Sequence, residues 1–342
     1  MSTYTEAEPI RSAAGTPARR RYEVVVVGGG AAGLSGALAL TRARRSVLVV
    51  DSGRPRNAPA GHVHTYLTQE GVTPSQLLAK GRAEVSGYGG EFVRGSVESA
   101  ERLLDGRFRL VLAGGAAVEA DRLLVTTGLV DELPPVPGLA LRWGRDVLHC
   151  PYCHGWEVRD QAIGVLATGP LSVHQALMWR QWSEDVTLFL HTGPEPGEAE
   201  YEQLAARGIA VVDGRVVSVE ATDDRLSGVV LESGQLIPRQ VLVVAPRFTA
   251  RAAFLAGLGL AVSEQEMNGL VIGTRIAADS SGATSVPGVW VAGNVANVSE
   301  QVIGAAAAGV RAAVALNADL ISQETRRAVE RAGRGNLFSP AL

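Results

Sequence analysis

Cysteine is almost absent: two residues in 342, both inside one short motif. That count excludes a disulfide-stapled secreted domain and leaves redox chemistry or half of a metal site as readings of the pair. Charge of one sign is not in excess either. With 32 basic and 35 acidic residues the formal net charge is −3, which points away from a nucleic-acid partner. No apolar run of transmembrane length stands out, so no membrane association is expected. Residues 1–20 are rich in Ala, Pro and Arg and contain Glu6 and Glu8. They lack the apolar stretch of a secretory signal. A disordered tail over 1–20 and a cytoplasmic location are the expectations.

What the chain does have is core-forming material. The hydrophobic fraction is 46% and the charged fraction 20%, enough for two domains of ordinary size. Val24 to Val27 form a continuous β-branched run, the pattern of a strand buried on both faces. Gly28, Gly30 and Gly33 follow in GxGxxG spacing, then an Ala- and Leu-rich helical stretch from Ala31 to Arg42, then a strand from Val47 to Val50 ending in Asp51. Strand, glycine loop, helix, strand and acid make a dinucleotide-binding unit. Gly28 permits the turn, Gly30 lets the backbone approach a pyrophosphate, and Gly33 lets the helix pack close. Asp51 is placed to accept from ribose hydroxyls.

Further strands are expected around 91–97, 108–112 and 122–126, the last leading into Thr127–Gly128 and a Pro-rich stretch at 133–138. A second strand–loop–helix unit opens at Ile163, with its loop at Ala167–Ser172, a helix to Trp182 and a strand over 185–190. Near the C-terminus, Gly288–Asn294 reads as a strand entering a glycine turn, before an Ala-rich helix from about Gln301 to Leu320.

Between these units lies His149–Cys150–Pro151–Tyr152–Cys153–His154–Gly155–Trp156–Glu157. Two thiols three residues apart can close a small disulfide ring, and a cation or helix start beside them stabilises a thiolate. An imidazole at His154 can take a proton from an incoming thiol; His149 flanks the other side, and His62 and His64 are candidates for the same cleft. Tyr152 and Trp156 are expected to pack. The letters CxxCH also spell a c-type haem attachment site, but no export signal accompanies them. Zinc would need ligands that no second cysteine pair supplies. No metal is expected.

In order and spacing the parts from about 22 to 322 resemble the low-molecular-weight thioredoxin reductase family of flavoproteins. The resemblance implies an α/β fold of two Rossmann-like dinucleotide-binding domains: FAD-binding over 21–145 and 246–325, with an NAD(P)-type domain over 146–245 inserted between them and a tail over 326–342. It implies that FAD meets Gly28, Gly30, Ala32, Gly33 and Asp51. Thr127, Gly128, Gly293, Asn294, Gln301 and Val302 complete the FAD site. The family usually has Asp at the position of Asn294, and FAD binding is expected despite the change. The same resemblance makes Cys153 the partner of the flavin and Cys150 the residue that exchanges with substrate, and it implies a homodimer.

The second loop departs from the family. Ala167 and Ser172 replace glycines, Pro170 removes a backbone N–H, and the segment His191–Pro196 offers Glu195 but no arginine for a phosphate. NAD(P)H use is therefore doubtful. The motif around the cysteines resembles flavin dithiol oxidases of the holomycin and gliotoxin type, in which a dithiol reduces the disulfide, FAD is reduced in turn, and oxygen accepts the electrons. An oxygen-using oxidase of a small-molecule dithiol is the leading expectation. An NAD(P)H- or ferredoxin-driven reductase of a thioredoxin-like protein is the second, and a non-catalytic flavin redox sensor the third.

Overall fold

The computed structural model describes residues 17–332 except Asn268. Of the expected tails, 1–16 and 333–342 lie outside the described residues. The chain divides into two compact units, one of 1–55, 75–130 and 249–342, the other of 56–74 and 131–248.

The first unit is organised on a seven-stranded sheet. Strand β1 (Arg21–Val27) lies at its centre, parallel to β2 (Val47–Asp51) on one side and to the Ala117–Val125 strand on the other. The valine run does what its composition dictates: Val25 and Val27 enter one core cluster while Val24 and Val26 enter the other, on the opposite face. Each fully buried valine contributes roughly 1.5–3 kcal/mol relative to exposure. The Ala117–Val125 strand pairs antiparallel with Phe108–Leu112 through its first half and parallel with Val289–Val291 through its second. The C-terminal strand is thereby brought beside the N-terminal ones.

Helix α1 (Ala31–Arg42) covers one face of this sheet together with the C-terminal helix Val302–Ala332. The two helices meet at glycines. A Cβ on Gly309 would lie 2.0 Å from the Ala32 carbonyl oxygen, and one on Gly36 would lie 3.0 Å from the Gly309 carbonyl. The C-terminal helix runs through 326–332, where a tail was expected. It is also, by length and composition, apolar enough to cross a membrane, contrary to expectation; mean hydropathy is 1.3 over its most apolar window and 33% of that window is buried. Alanine accounts for the difference, since it counts as apolar without forming a run of large side chains. The buried stripe Ala305, Gly309, Ala312, Ala313 and Leu316 belongs to the unit's core.

The second unit holds a five-stranded parallel sheet in the order Ala210–Val212, Val186–Phe189, Ile163–Leu166, Val241–Val244, Val147–Leu148. Chain order reverses between Ile163–Leu166 and Val241–Val244, so the crevice at the carboxyl ends of those strands is a topological switch point. The helix expected to reach Trp182 ends at Trp179. A three-stranded antiparallel sheet spans Val216–Pro238. Segment 56–74 belongs to this unit rather than to the first domain, where it was expected. Arg56 pairs in bidentate fashion with Asp131 at 2.8 and 2.7 Å. Pro59 packs where Gly144 leaves no room for a Cβ, at 2.8 Å.

Gly309→Ala should destabilise the first unit by about 1–3 kcal/mol, because the added methyl meets backbone rather than a movable side chain. Val314→Ala, on the exposed face of the same helix, should stay within about 0.5 kcal/mol. Paired denaturant unfolding curves check both.

Candidate functional site

In the first unit the glycine loop is a set of close backbone approaches. Gly28 has φ +105, and a Cβ there would lie 2.5 Å from the Thr126 carbonyl oxygen. A Cβ on Gly33 would lie 1.9 Å from the Gly28 carbonyl oxygen. Thr126 closes the arrangement by donating its hydroxyl to Gly28 O at 2.8 Å. Gly30, by contrast, has nothing within 4 Å of a Cβ. The open side of the loop is the one a pyrophosphate would occupy, at the N-terminus of α1 where backbone N–H groups lack helical partners. Asp51 accepts from the backbone N–H of Gly29 at 3.1 Å and of Gly53 at 3.2 Å. It holds the loop's shape and keeps lone pairs for a further donor. These residues fit a dinucleotide.

The remaining first-unit candidates lie on turns. Thr127 donates its hydroxyl to Arg251 O at 2.6 Å, and Gly128, with φ +70, accepts from Arg251 N at 3.0 Å. Gly293, with φ +74, would bring a Cβ to 3.0 Å from that of Ala32. Gln301 offers the carbonyl that receives the N–H of Ala305 at 2.8 Å, and Val302 opens the helix. Asn294 points its amide nitrogen at three carbonyls: Asn297 O at 3.3 Å, Val298 O at 3.1 Å and Glu300 O at 2.9 Å. Three acceptors around one atom assign it as nitrogen. A carboxylate could not make these bonds, so the amide has a structural role beyond the loss of a charge.

In the second unit Cys150 and Cys153 form a disulfide, Cα–Cα 5.3 Å, across the short helix Pro151–His154. Cys150 caps the helix and Pro151 takes its first position, where a missing N–H costs nothing. Gly155 ends the turn. A Cβ there would lie 2.5 Å from Pro151 O and 2.8 Å from the Trp182 ring, so only glycine lets the turn seat against Trp182. Tyr152 and Trp156 do not pack into a core: they are 58% and 66% exposed. Tyr152 meets Trp182 edge-on at 5.5 Å, and the Arg159 guanidinium lies 4.1 Å over the Trp156 ring. Both aromatics border the disulfide in sequence.

The two histidines beside the cysteines differ. His149 follows the Val147–Leu148 strand at the carboxyl edge of the sheet, its ring edge-on to Phe248 at 5.2 Å. Its Nδ1 lies 3.1 Å from Val244 O, which places the proton on Nδ1 and leaves Nε2 as the basic nitrogen. Burial pushes its pKa down, and Arg56 adds to that while Asp131 opposes it. His154 is half-buried, and its two ring nitrogens are enclosed without a hydrogen-bond partner. Burial again pushes its pKa below the ordinary histidine value, against the pull of Glu157. The ring therefore stands next to Cys153 in the chain with its nitrogens uncommitted. His64 enters the same unit, its Nε2 3.4 Å from Glu157 Oε1, while His62 is exposed. Sequence reading missed Arg56, Asp131, Gln175 and Phe248 around His149, since no local pattern links them to it.

The switch-point crevice of this unit carries the second loop. Gly193 seats on Ala167, where a Cβ would lie 2.7 Å from the alanine methyl. The cavity between the loops is lined by Pro170, Ser172, Pro194, Glu195, Pro196 and Glu200 among others, and its lining includes no Arg, Lys or His. Glu195 accepts from the Tyr201 hydroxyl and Glu200 from Gly197 N at 2.8 Å. His191 is turned inward, its Nδ1 accepting from the backbone N–H of Val216 at 3.1 Å.

Asn294→Asp should destabilise the fold by about 1–3 kcal/mol, since three carbonyls lose their donor and face a carboxylate. Thermal unfolding at pH 8 checks this, and lowering the pH, which protonates the new side chain and restores one donor, should recover part of the loss.

The family profile described as Pyridine nucleotide-disulphide oxidoreductase matches residues 22–309. The crystal structure titled HlmI is 46% identical, with a TM-score of 0.86 over 94% of this chain and 99% of that one. Thioredoxin reductase sirT of Leptosphaeria maculans is 30% identical over 313 residues, 86% of this chain and 93% of its own length. A probable thioredoxin reductase of Arthroderma benhamiae is 39% identical over 157 residues; the match covers 44% of this chain and 38% of that protein's length. The glycine-loop units, the CxxC turn and these likenesses together place the chain in the pyridine nucleotide-disulphide oxidoreductase family, as an enzyme of the thioredoxin-reductase-like kind.

Proposed function

We propose that this enzyme binds FAD in the first unit and oxidises a small-molecule dithiol at Cys150–Cys153, with electrons entering from the dithiol and leaving to oxygen. The observation that carries this reading is the second crevice, whose lining has two carboxylates, three prolines and no cation to pair with a nucleotide phosphate. The resemblance of the cysteine motif to dithiol oxidases supports it. FAD would be held by Gly28, Gly30, Ala32, Gly33 and Asp51 around the adenosine and pyrophosphate, and by Thr127, Gly128, Gly293, Asn294, Gln301 and Val302 beyond. When bound it supplies the two-electron acceptor that the protein's own side chains lack.

The cysteine chemistry balances without outside reagents. A substrate thiolate attacks Cys150 Sγ, the Cys150–Cys153 bond breaks, and Cys153 leaves as thiolate. The second substrate thiol then attacks the substrate sulfur of the mixed disulfide, releasing Cys150 and closing the substrate's own disulfide. The substrate is oxidised by two electrons and the cysteine pair is reduced by two. His154 receives the proton of the attacking thiol, and His149 stands by the other sulfur. A homodimer in the cytoplasm is the setting we propose.

The printed names of the relatives favour a second reading, a reductase of a thioredoxin-like protein driven by NAD(P)H or ferredoxin. Flavin absorbance of the anaerobic holoprotein separates the two. Bleaching by dithiothreitol but not by NADPH or NADH, with recovery in air, is expected; rapid bleaching by either nicotinamide would replace the oxidase with the reductase. Cys153→Ser and Cys150→Ser should each keep FAD and lose dithiol-dependent turnover by on the order of 10³-fold or more.

The pH profile follows from His154. Its neutral form is the base and its pKa is depressed, so the base persists below the ordinary value of about 6.5. The rate of dithiol-driven bleaching should therefore fall only at pH below about 6.5 as the ring protonates. His154→Ala should remove that acid limb and slow the step by roughly 10²–10⁴-fold. An unchanged profile in this variant would return His154 to a packing role.

A further inference from the structure

His149 is held from three sides, and one of its partners faces it with the wrong atom. Val244 O, at the end of the strand Val241–Val244, lies 3.1 Å from Nδ1 and can only accept, so Nδ1 carries a proton. The Phe248 ring stands edge-on at 5.2 Å, with the Arg56 guanidinium over it at 5.3 Å and paired to Asp131. The third side is Gln175, the fourth residue of the helix Ser172–Trp179 and only 5% exposed. Its amide nitrogen lies 3.3 Å from the same Nδ1. An amide N–H and an imidazole N–H cannot bond to one another. The amide oxygen, meanwhile, is enclosed without a partner. A donor against a donor and an acceptor against nothing are both unfavourable in an interior.

A half-turn of the amide exchanges its oxygen and nitrogen, and the surrounding hydrogen bonds decide which way round they stand. From this geometry we infer that Gln175 is a positioning residue for His149: with Oε1 turned to the ring, it accepts from Nδ1–H alongside Val244 O and fixes Nε2 as the nitrogen that takes a proton. One N–H shared between two acceptors is an ordinary three-centre bond. The arrangement serves the ring in both of its working states. Nδ1–H is retained while Nε2 is bare and after Nε2 is protonated, so neither acceptor loses its donor when a proton arrives. Glutamine does this without charge, whereas a carboxylate in its place would favour the charged ring. The helix of Gln175 follows the strand Ile163–Leu166, and Val244 ends the strand paired beside it. The two strands that flank the switch point therefore each contribute a hold on His149.

The consequence for thiol exchange rests on the role proposed for His149, but the hold on the ring is a property of the folded unit. The test is NMR of the ring nitrogens in histidine-labelled, oxidised holoprotein with no dithiol present, the His149 signals being identified by their loss in His149→Gln. In the unchanged protein at about pH 8, Nδ1 should appear protonated and Nε2 bare. Gln175→Leu should weaken the preference for Nδ1–H over Nε2–H by roughly 3- to 10-fold, the effect of one neutral hydrogen bond. Dithiol-driven bleaching of the flavin should slow by a similar factor. A bare Nδ1 in the unchanged protein overturns the inference, and this arm needs no variant to fold. An unaltered tautomer ratio in folded Gln175→Leu overturns it as well. A shifted ratio in a protein that oxidises no dithiol would uphold the positioning and remove the oxidase reading. An unshifted ratio in a protein that does oxidise them would do the reverse.

Discussion

The first unit depends on the meeting of three backbones at Gly28, Gly33 and Thr126. A single methyl at Gly33 would sit 1.9 Å from the Gly28 carbonyl, so β1, α1 and the strand from Ala117 to Val125 can converge only if Gly28 and Gly33 carry no side chain. The convergence orients the start of α1 and leaves Gly30 open to a ligand. It also orders the rest of the first unit: once α1 lies flat on the sheet, the C-terminal helix can pack on it only through Gly36 and Gly309. Glycine thus exchanges side-chain burial for contact between backbones, at a cost in chain entropy that the surrounding valine and leucine core offsets.

The second unit repeats the plan of a switch-point crevice and reaches a different result. Where the first loop leaves Gly30 open, the second has Ala167 against Gly193, and the cavity beside it is bordered by prolines and faced by carboxylates already committed to Tyr201 and Gly197. Prolines cannot donate to a phosphate, and a carboxylate repels one. The same carboxyl edge of the sheet carries the cysteine turn, after the strand Val147–Leu148. There the need is for a four-residue helix with a disulfide across it, which Pro151 starts and Gly155 ends against Trp182. The two aromatics of that segment, Tyr152 and Trp156, are largely exposed.

Electrostatics at the turn are those of a buried base with few hydrogen bonds. His149 has its tautomer set by one carbonyl of the neighbouring strand. His154 has no such partner, both of its ring nitrogens being enclosed and unpaired, and burial pushes its pKa down. Two histidines of equal spacing from the cysteines are therefore not equivalent, and the difference arises from which strand end or loop each one faces.

Local pattern alone determined a good deal. Strand β1 and helix α1 were legible because a β-branched run and an alanine-rich stretch carry their own periodicity. The tight turn at Gly28 and the close backbone approach at Gly33 followed from spacing, since backbone conformation is read directly from glycine placement. The same holds for the CxxC motif and for the lost arginines of the second loop. What only the tertiary structure decided were matters of long-range partnership. The assignment of 56–74 to the cysteine unit depends on Arg56 finding Asp131 and Pro59 finding Gly144. The three carbonyls that hold Asn294 lie on a turn whose shape no composition announces. The pairing of His64 with Glu157 joins residues 93 positions apart. Local propensities are properties of short windows, whereas burial, tautomer and ion pairing are set by whatever the folded chain brings alongside.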